Sequence, residues 1–575
     1  MSLAQMLEGL NPAQREVVDC RDHCVAVAVP GAGKTATIAA KAAVLLSDPN
    51  VTVGAVTFSK DAAIELRDRI LALAGNDAKK RLLAGTFHSL AYRQLAPAGG
   101  ERPSIASEGE RAALIVQVLQ EYGIGWKLDE ASSTIDRLKA ELGTPDKGSV
   151  EGQLYMAYQE ALERNGRIDF QDLMRLAVKG MQSGSIKPYA VDHLLVDEYQ
   201  DCDALQALWT VLHARAGSTT VLVADDDQTI FGWRSALGFR GMEAFANEFS
   251  ARTIVLATNY RSHTEILDAA GKVIRHNKDR INKELNSYKG PGGTVEFKRF
   301  DDEYQEGIAA VEALSATIRM GKTAAVLART NRILDPIEAV CRSHGVKYYR
   351  AAGRSILDRP ESALMGNLLE LIQRSKAGGL DAILGYAGVG SSDLLILHRK
   401  GAISLTSDIP KKSHLIELGI SPDAVEKVLD LCKRLAEWRA LSSRQFLSLV
   451  LGGVHEWMLK WANSDQGKRS INTTYDVLSR LNGSFSERLD YLRRSNNEPG
   501  NDALVLTTIH ASKGLEWDHT ALIRAEETVI PDEGSTEAEE RRLFYVGITR
   551  ARSTINISTA KKNPTSRFVI EAGLA

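Results

Sequence analysis

Over the first ninety residues, apolar positions gather into short runs separated by helical spacing. Residues 24–29 form an apolar run of strand length, 35–46 are Ala-rich and helical, and 51–58 are β-branched. This strand–helix–strand rhythm predicts a parallel sheet. From 92 to 189 the pattern becomes mostly helical, with Ala112, Leu114, Ile115, Val118 and Leu119 at amphipathic spacing and a turn-rich break at 143–148. Strand signals return at 194–196, 221–224 and 253–256, so the first sheet is predicted to resume after a helical insertion.

A similar arrangement follows downstream. Gly290-Pro291-Gly292-Gly293 breaks the chain ahead of the strand-like stretches 295–297 and 324–327. Residues 364–494 lose strand character, the polar stretch 496–502 closes them off, and 503–508 is strand-like again. The tail from Phe544 gives a helix and then a strand at 554–557. The pattern predicts an α/β protein with two parallel sheets, each carrying a mostly helical insertion.

Composition narrows the class. A chain of 575 residues exceeds one domain, since ordinary domains run about 100 to 200 residues. With 71 Lys and Arg against 73 Asp and Glu, the net charge of −2 excludes a uniformly basic protein, so any nucleic-acid footprint is a local patch or groove. A 44% hydrophobic and 25% charged content fits a globular enzyme. No apolar run reaches the roughly 18 residues of a membrane span, and the first nine residues lack both a basic cluster and an apolar stretch, so a cytoplasmic protein without membrane partners is expected. Cys20, Cys24, Cys202, Cys341 and Cys432 are odd in number and scattered, which favours reduced structural thiols. Cys20 and Cys24 flank His23, but no second ligand pair at zinc spacing follows.

Two motifs carry chemistry. Ala28-Val29-Pro30-Gly31-Ala32-Gly33-Lys34-Thr35 follows a predicted strand and opens a predicted helix, the context of a phosphate-binding loop, with Ala28 where the strict pattern has Gly. Its amides form an anion cradle, Lys34 reaches the β- and γ-phosphates, and the Thr35 hydroxyl binds magnesium. A Gly-rich turn is the bland alternative. In His193-Leu194-Leu195-Val196-Asp197-Glu198 an apolar strand runs into adjacent carboxylates. Asp197 suits the magnesium site and Glu198 the base that orients attacking water, the alternative being a solvated acidic turn.

Further motifs occur in a recognisable order: Thr57-Phe58-Ser59-Lys60, Gly85-Thr86-Phe87-His88-Ser89, Asp225-Asp226-Asp227-Gln228-Thr229-Ile230-Phe231-Gly232-Trp233-Arg234 and Asn259-Tyr260-Arg261-Ser262. Thr508-Ile509-His510-Ala511-Ser512-Lys513-Gly514-Leu515-Glu516-Trp517 and Tyr545-Val546-Gly547-Ile548-Thr549-Arg550-Ala551-Arg552 complete the set, with Asn11-Pro12-Ala13-Gln14 near the start. The whole chain resembles the UvrD, Rep and PcrA group of superfamily 1 DNA helicases. The resemblance implies two RecA-like parallel-sheet P-loop domains, each with a mostly helical insertion: 1–91 with 190–258 (1A), 92–189 (1B), 259–375 with 497–575 (2A) and 376–496 (2B).

It also implies roles. Gln14 hydrogen-bonds adenine, Tyr260 stacks on it and Glu516 meets the ribose. Pro30, Gly31, Ala32, Gly33, Lys34, Thr35 and Ala36 line the triphosphate. Gln228 senses the γ-phosphate, while Arg261 and Arg550 stabilise charge on the transferring phosphoryl group in a cleft between the sheets that closes on ATP. For DNA, Phe58, Phe231 and Trp233 stack on or wedge between bases, with Thr57, His88, Arg234 and His510 near the backbone. A place in the core is the competing reading for each aromatic. Ile168-Asp169-Phe170-Gln171-Asp172-Leu173 resembles the signature of the first insertion, by packing or by direct contact. Gly388-Val389-Gly390 resembles the motif that grips duplex backbone, or is a plain helix-joining turn.

The chain departs from the family pattern in two places. Only about six residues separate the predicted strand 554–557 from Pro564-Thr565-Ser566-Arg567-Phe568, where longer relatives form a strand-separating hairpin, and no nuclease domain is expected beyond it. Ala36 stands where many relatives place an adenine-stacking Arg, so purine selectivity leans on Gln14 and Tyr260. The expected activity is an ATP- and magnesium-dependent 3′–5′ translocase and helicase acting on single-stranded DNA and single/double-strand junctions, with a repair, replication or nuclease protein as a possible partner. An ATP-gated DNA-binding subunit that displaces proteins or serves a nuclease or defence partner is the alternative, and a P-loop small-molecule kinase a distant third.

Overall fold

The computed structural model describes the chain except for residues 1, 97–102, 142, 144, 233–235, 352–358, 375–379, 401–408, 481, 482, 485, 489–499 and 501. Contacts divide it into two compact units, Met1–Thr294 with Pro531–Ser553 and Ile570–Gly573, and Val295–Ile530 with Thr554–Val569 and Leu574–Ala575. Among the described residues no helix is long and apolar enough to cross a membrane.

The first unit is built on a six-stranded sheet in the spatial order Leu82–Thr86, Val53–Thr57, His193–Val196, Thr219–Ala224, Cys24–Ala28, Arg252–Leu256. All its neighbours pair in parallel. The strands Cys24–Ala28 and Val53–Thr57 are buried at every position, because helices cover both faces of the sheet. Strand alternation sorts the side chains: Val25 and Val27 enter the core on one face with Phe87 and Trp209, while Cys24, Ala26 and Ala28 enter the other with Ile38 and Leu45. The insertion between the third and fourth strands in sequence holds the helices Glu108–Glu121, Leu128–Ala140 and Val150–Arg164 around Ile115, Val118, Ile135, Leu154 and Tyr158. Ser107 and Ser149 cap two of these helices through their hydroxyls.

In the second unit a six-stranded sheet has the order Thr294–Phe300, Ala551–Ala560, Trp517–Leu522, Ala324–Ala328, Leu504–Thr508, Tyr348–Arg350. The last four pair in parallel. Helices from Pro360–Arg374 to Asp465–Arg480 form a separate apolar core around Leu368, Val425, Leu431, Trp438, Val454 and Trp457.

The strand Ala551–Ala560 is longer at both ends than the predicted 554–557. Ser553, Ser558 and Thr559 dilute the apolar signal there, although Ser558 and Thr559 are buried. Past Ala560 the chain turns at Lys561–Asn563, Thr565 forms an isolated antiparallel bridge with Glu526, and the helix Arg567–Glu571 begins. No hairpin intervenes. Residues 259–294 and 531–553, which the resemblance assigns to 2A, group with the first unit, where Asn259 is tied to Pro30, Arg550 to Gln228 and Glu539 to Gly232.

Candidate active site and nucleic-acid interface

In a parallel sheet the loops that follow the strands collect at one edge, where such folds bind ligands. Here that edge of the first unit gathers nearly every motif. Cys24–Ala28 leads into the loop 29–33, His193–Val196 into Asp197 and Glu198, and Thr219–Ala224 into Asp225. Val53–Thr57 ends at Phe58, Leu82–Thr86 at His88, and Arg252–Leu256 runs on to Asn259 and Tyr260.

Gly31 and Gly33 have φ of 64° and 74°, a left-handed backbone that leaves the loop's amides free to point inward. A Cβ on Gly31 would lie 2.7 Å from the Cβ of Arg261, so glycine is also required for space. The helix Lys34–Leu46 starts immediately, placing its unpaired N–H groups at the loop. Lys34 Nζ is 2.8 Å from Glu198 Oε1. Burial opposes the Lys34 charge, yet Glu198, Asp225 and Asp197 outweigh it and raise its pKa. Thr35 Oγ1 donates to Asp197 Oδ2 at 3.4 Å. Burial first, and then the Glu198 charge, push Asp197 up to about 7.

Glu198 adopts φ 56° and ψ 36°, a left-handed conformation that costs a non-glycine residue on the order of 1 kcal/mol. It is held by its own amide donating to Asp197 Oδ1 at 3.0 Å, by Lys34, and by Gln200 Nε2. Nothing in the sequence signalled this strain.

The segment 259–262 clamps the loop from the other side. Asn259 Nδ2 donates to the Pro30 carbonyl at 2.5 Å, and the Tyr260 amide donates to the Gly31 carbonyl at 3.0 Å. Asn11 caps the helix Pro12–Asp19 in a reciprocal box with Gln14. Gln14 Nε2 also donates to the Ala32 carbonyl at 3.0 Å, and Asn11 Nδ2 to the Tyr260 hydroxyl at 2.9 Å. The expected adenine reader and stacker are therefore joined to the loop and to each other. Ala36 lies in the first turn of the loop's helix, half-buried.

Gln228 bridges two groups. Its Nε2 donates to Asp225 Oδ2 at 2.5 Å, and its Oε1 accepts from Arg550 Nη2 at 3.3 Å. Arg550 is 1% exposed and donates to Thr549 Oγ1 as well, while Arg261 Nη1 donates to the Thr549 carbonyl. Asp225, Asp226 and Asp227 cluster closely enough to hold a metal, but Lys283, itself buried, ion-pairs with all three, and Arg280 forks onto Asp227. An ammonium occupies the centre of that cluster. Sequence reading missed Lys283 because it lies 56 residues beyond the nearest of its partners, Asp227.

The expected DNA residues separate by location. Phe58 and His88 line a cavity of about 680 Å³ with Lys60, Arg67, Arg93 and Phe170. The His88 and Phe170 rings stack, with centroids 4.2 Å apart at 17°. Phe170 is 52% exposed, so its ring faces solvent and is not core. Its neighbours do the packing, since Asp169 and Asp172 cap each other's amides and share the buried Lys139. Thr57 is buried and Phe231 half-buried, beside a Gly232 amide that donates to Glu539 Oε1 at 3.0 Å. Trp233 and Arg234 lie outside the described residues.

In the second unit, His510 and Glu516 are half-buried near the carboxyl end of Leu504–Thr508, and burial, then Arg329, lowers His510 to about 4. Gly388 has φ 82°, and Lys427 Nζ donates to its carbonyl at 3.0 Å; Gly390 is open to solvent at the start of Ser391–Lys400.

A glycine cradle with Lys, Thr and paired carboxylates at the edge of a parallel sheet defines a P-loop nucleoside triphosphatase. Residues 10–250 match the UvrD/REP helicase N-terminal domain, and 254–380 with 465–562 match the UvrD-like helicase C-terminal domain. The chain belongs to the UvrD/Rep/PcrA family of superfamily 1 helicases. It is 28% identical to ATP-dependent DNA helicase PcrA of Bacillus subtilis (strain 168), covering 99% of this chain and 86% of that protein. Identity is 27% to DNA helicase II of Escherichia coli (strain K12), with 98% and 86% covered, and 29% to ATP-dependent DNA helicase UvrD1 of Mycobacterium tuberculosis (strain ATCC 25618 / H37Rv), with 99% and 85% covered.

Proposed function

We propose that the chain is an ATP-dependent DNA helicase that hydrolyses Mg-ATP to translocate 3′ to 5′ on single-stranded DNA and to open duplex at single/double-strand junctions, in the cytoplasm. The observation that carries it is the constellation of Lys34, Thr35, Asp197, Glu198, Gln228, Arg261 and Arg550 around one glycine cradle. The Thr35 hydroxyl and the Asp197 carboxylate are hard oxygen donors that suit magnesium, which when bound neutralises charge on the β- and γ-phosphates. Glu198 orients the attacking water and accepts its proton. Lys34 holds the terminal phosphates, Gln228 reports their presence, and Arg261 and Arg550 supply planar cations for the charge that develops as the bond breaks. Tyr260, Gln14 and Glu516 take the nucleoside.

For DNA, the cavity lined by Phe58, His88 and Phe170 offers aromatic faces rimmed by Lys60, Arg67 and Arg93, the combination that suits unpaired bases and their phosphates. Phe231, Trp233, Arg234, Thr57 and His510 are proposed to bind the single strand as well, and Gly388 and Gly390 to meet duplex backbone. The 1A, 1B, 2A and 2B division is retained as the reading of domain roles, and a repair, replication or nuclease protein as the class of partner.

The test is displacement of a strand from a duplex with a 3′ single-stranded tail, with ATP turnover followed on the same DNA. Displacement requiring ATP, the 3′ tail and Glu198 supports the reading. DNA-stimulated turnover that persists at the parent rate in Glu198→Gln overturns the catalytic assignment.

A further inference from the structure

Two tyrosine rings stand side by side next to the glycine cradle. The short parallel pair Thr258–Asn259 and Asn286–Ser287, with the Tyr288 amide donating to the Asn259 carbonyl at 2.8 Å, sets Tyr288 beside Tyr260. Their ring centroids are 4.9 Å apart at 39°. Tyr260 is fixed at both ends, by Asn11 at its hydroxyl and by the Gly31 carbonyl at its amide. Tyr288 is 72% exposed, so most of its ring surface is unused by the fold. Position 36, in the first turn of the loop's helix, is Ala and offers the base no planar cation.

We infer that Tyr288 is a specificity residue of the nucleotide site, forming with Tyr260 a two-ring aromatic face that takes a purine base. This rests on the reading of Tyr260 as the base stacker. A purine is two fused rings and extends past a single phenol, so an inclined neighbouring ring adds contact to the part that Tyr260 leaves uncovered. A pyrimidine ends within the area of Tyr260 and gains less. Tyr288 also limits the rotamers open to Tyr260, holding its ring against the Asn11 bond. The contact is made by the base alone, remote from the phosphates, so it acts on binding and leaves the chemical step unaltered.

The experiment is steady-state hydrolysis of ATP and of CTP by the full chain with saturating single-stranded DNA, in the parent, Tyr288→Ala, Tyr288→Phe and Tyr260→Ala. The exposed position makes the Tyr288 variants compatible with folding. Tyr288→Ala should raise KM for ATP about five-fold, keep kcat within about two-fold and narrow the preference for ATP over CTP. Tyr288→Phe, which keeps the ring, should restore both values. Parent KM and parent selectivity in Tyr288→Ala, with KM raised in Tyr260→Ala, overturn the inference and leave the base site standing. Unchanged KM in both alanine variants overturns the base-site reading together with the inference.

Discussion

Gln228 accepts a hydrogen bond from Arg550 across 322 positions of sequence, 3.3 Å from Nη2 to Oε1. The same amide donates to Asp225, whose other oxygen takes the Lys283 ammonium at 2.8 Å. A residue suited to sensing the γ-phosphate is thus held between a planar cation and a buried carboxylate. Replacing Arg550 by Ala should lower kcat at least about 100-fold while ATP affinity changes only several-fold, since the cation is needed most as charge develops. Arg550→Lys should recover little, because an ammonium cannot reproduce the guanidinium fork that spans Gln228, Thr549 and Val546. Single-turnover hydrolysis beside nucleotide binding separates the two quantities.

Lys283→Met would leave Asp225, Asp226 and Asp227 buried without the one ammonium that pairs with all three, Arg280 reaching Asp227 alone among the described ion pairs. Removing one partner from a buried ion cluster typically costs about 3 to 5 kcal/mol, so a marked fall in the thermal midpoint is expected. A midpoint within experimental error of the parent would count against the cluster as a structural keystone.

Phe170→Ala should weaken binding of an oligo-dT single strand about five- to a hundred-fold, the range for losing a stacked base. Its exposure predicts little effect on stability or on DNA-free ATP turnover. Fluorescence anisotropy at fixed salt measures the first, and equal affinity in parent and variant would remove Phe170 from the DNA path.

The pH dependence of stability has a defined sign at His213. Its Nδ1–H donates to the Trp209 carbonyl at 2.8 Å and its Nε2 accepts the Tyr189 amide at 3.0 Å, which fixes the neutral ring. Burial lowers its pKa to about 4 from the ordinary 6.5. As pH falls from 6.5 towards 4, the unfolded chain takes up the proton and the folded one does not. Stability present at neutral pH is therefore lost over that window, at up to ~1.4 kcal/mol per pH unit for one proton. Urea midpoints across the window should fall less steeply in His213→Gln than in the parent.

Much of the site is legible in the sequence because it rests on local rules. The loop 29–33 needs glycine where φ is positive, and Asn11 with Gln14 makes a capping box within four residues. An unbroken apolar run of strand length likewise marks Cys24–Ala28 as a strand buried on both faces. Long-range pairings leave no such trace: Lys283 in its aspartate cluster, Asn259 on the Pro30 carbonyl, and the strain at Glu198 all depend on which segments the fold brings together. Phe170 is intermediate. Its motif is readable, but only the mutual capping of Asp169 and Asp172 around Lys139 explains why the ring between them points outward.

The first compact unit is assembled from separated stretches of chain, with Pro531–Ser553 contributing Arg541, Tyr545 and Arg550 to its interior. During synthesis the loop that cradles phosphate emerges more than five hundred residues before Arg550, and the aspartate cluster waits for Lys283. A chain ending at residue 257 would contain all six strands of the sheet without the clamp at Asn259, and with the carboxylates of Asp225, Asp226 and Asp227 lacking Arg280 and Lys283. With Arg550 in the role proposed for it, the complete set of site residues comes together only once nearly the whole polypeptide exists.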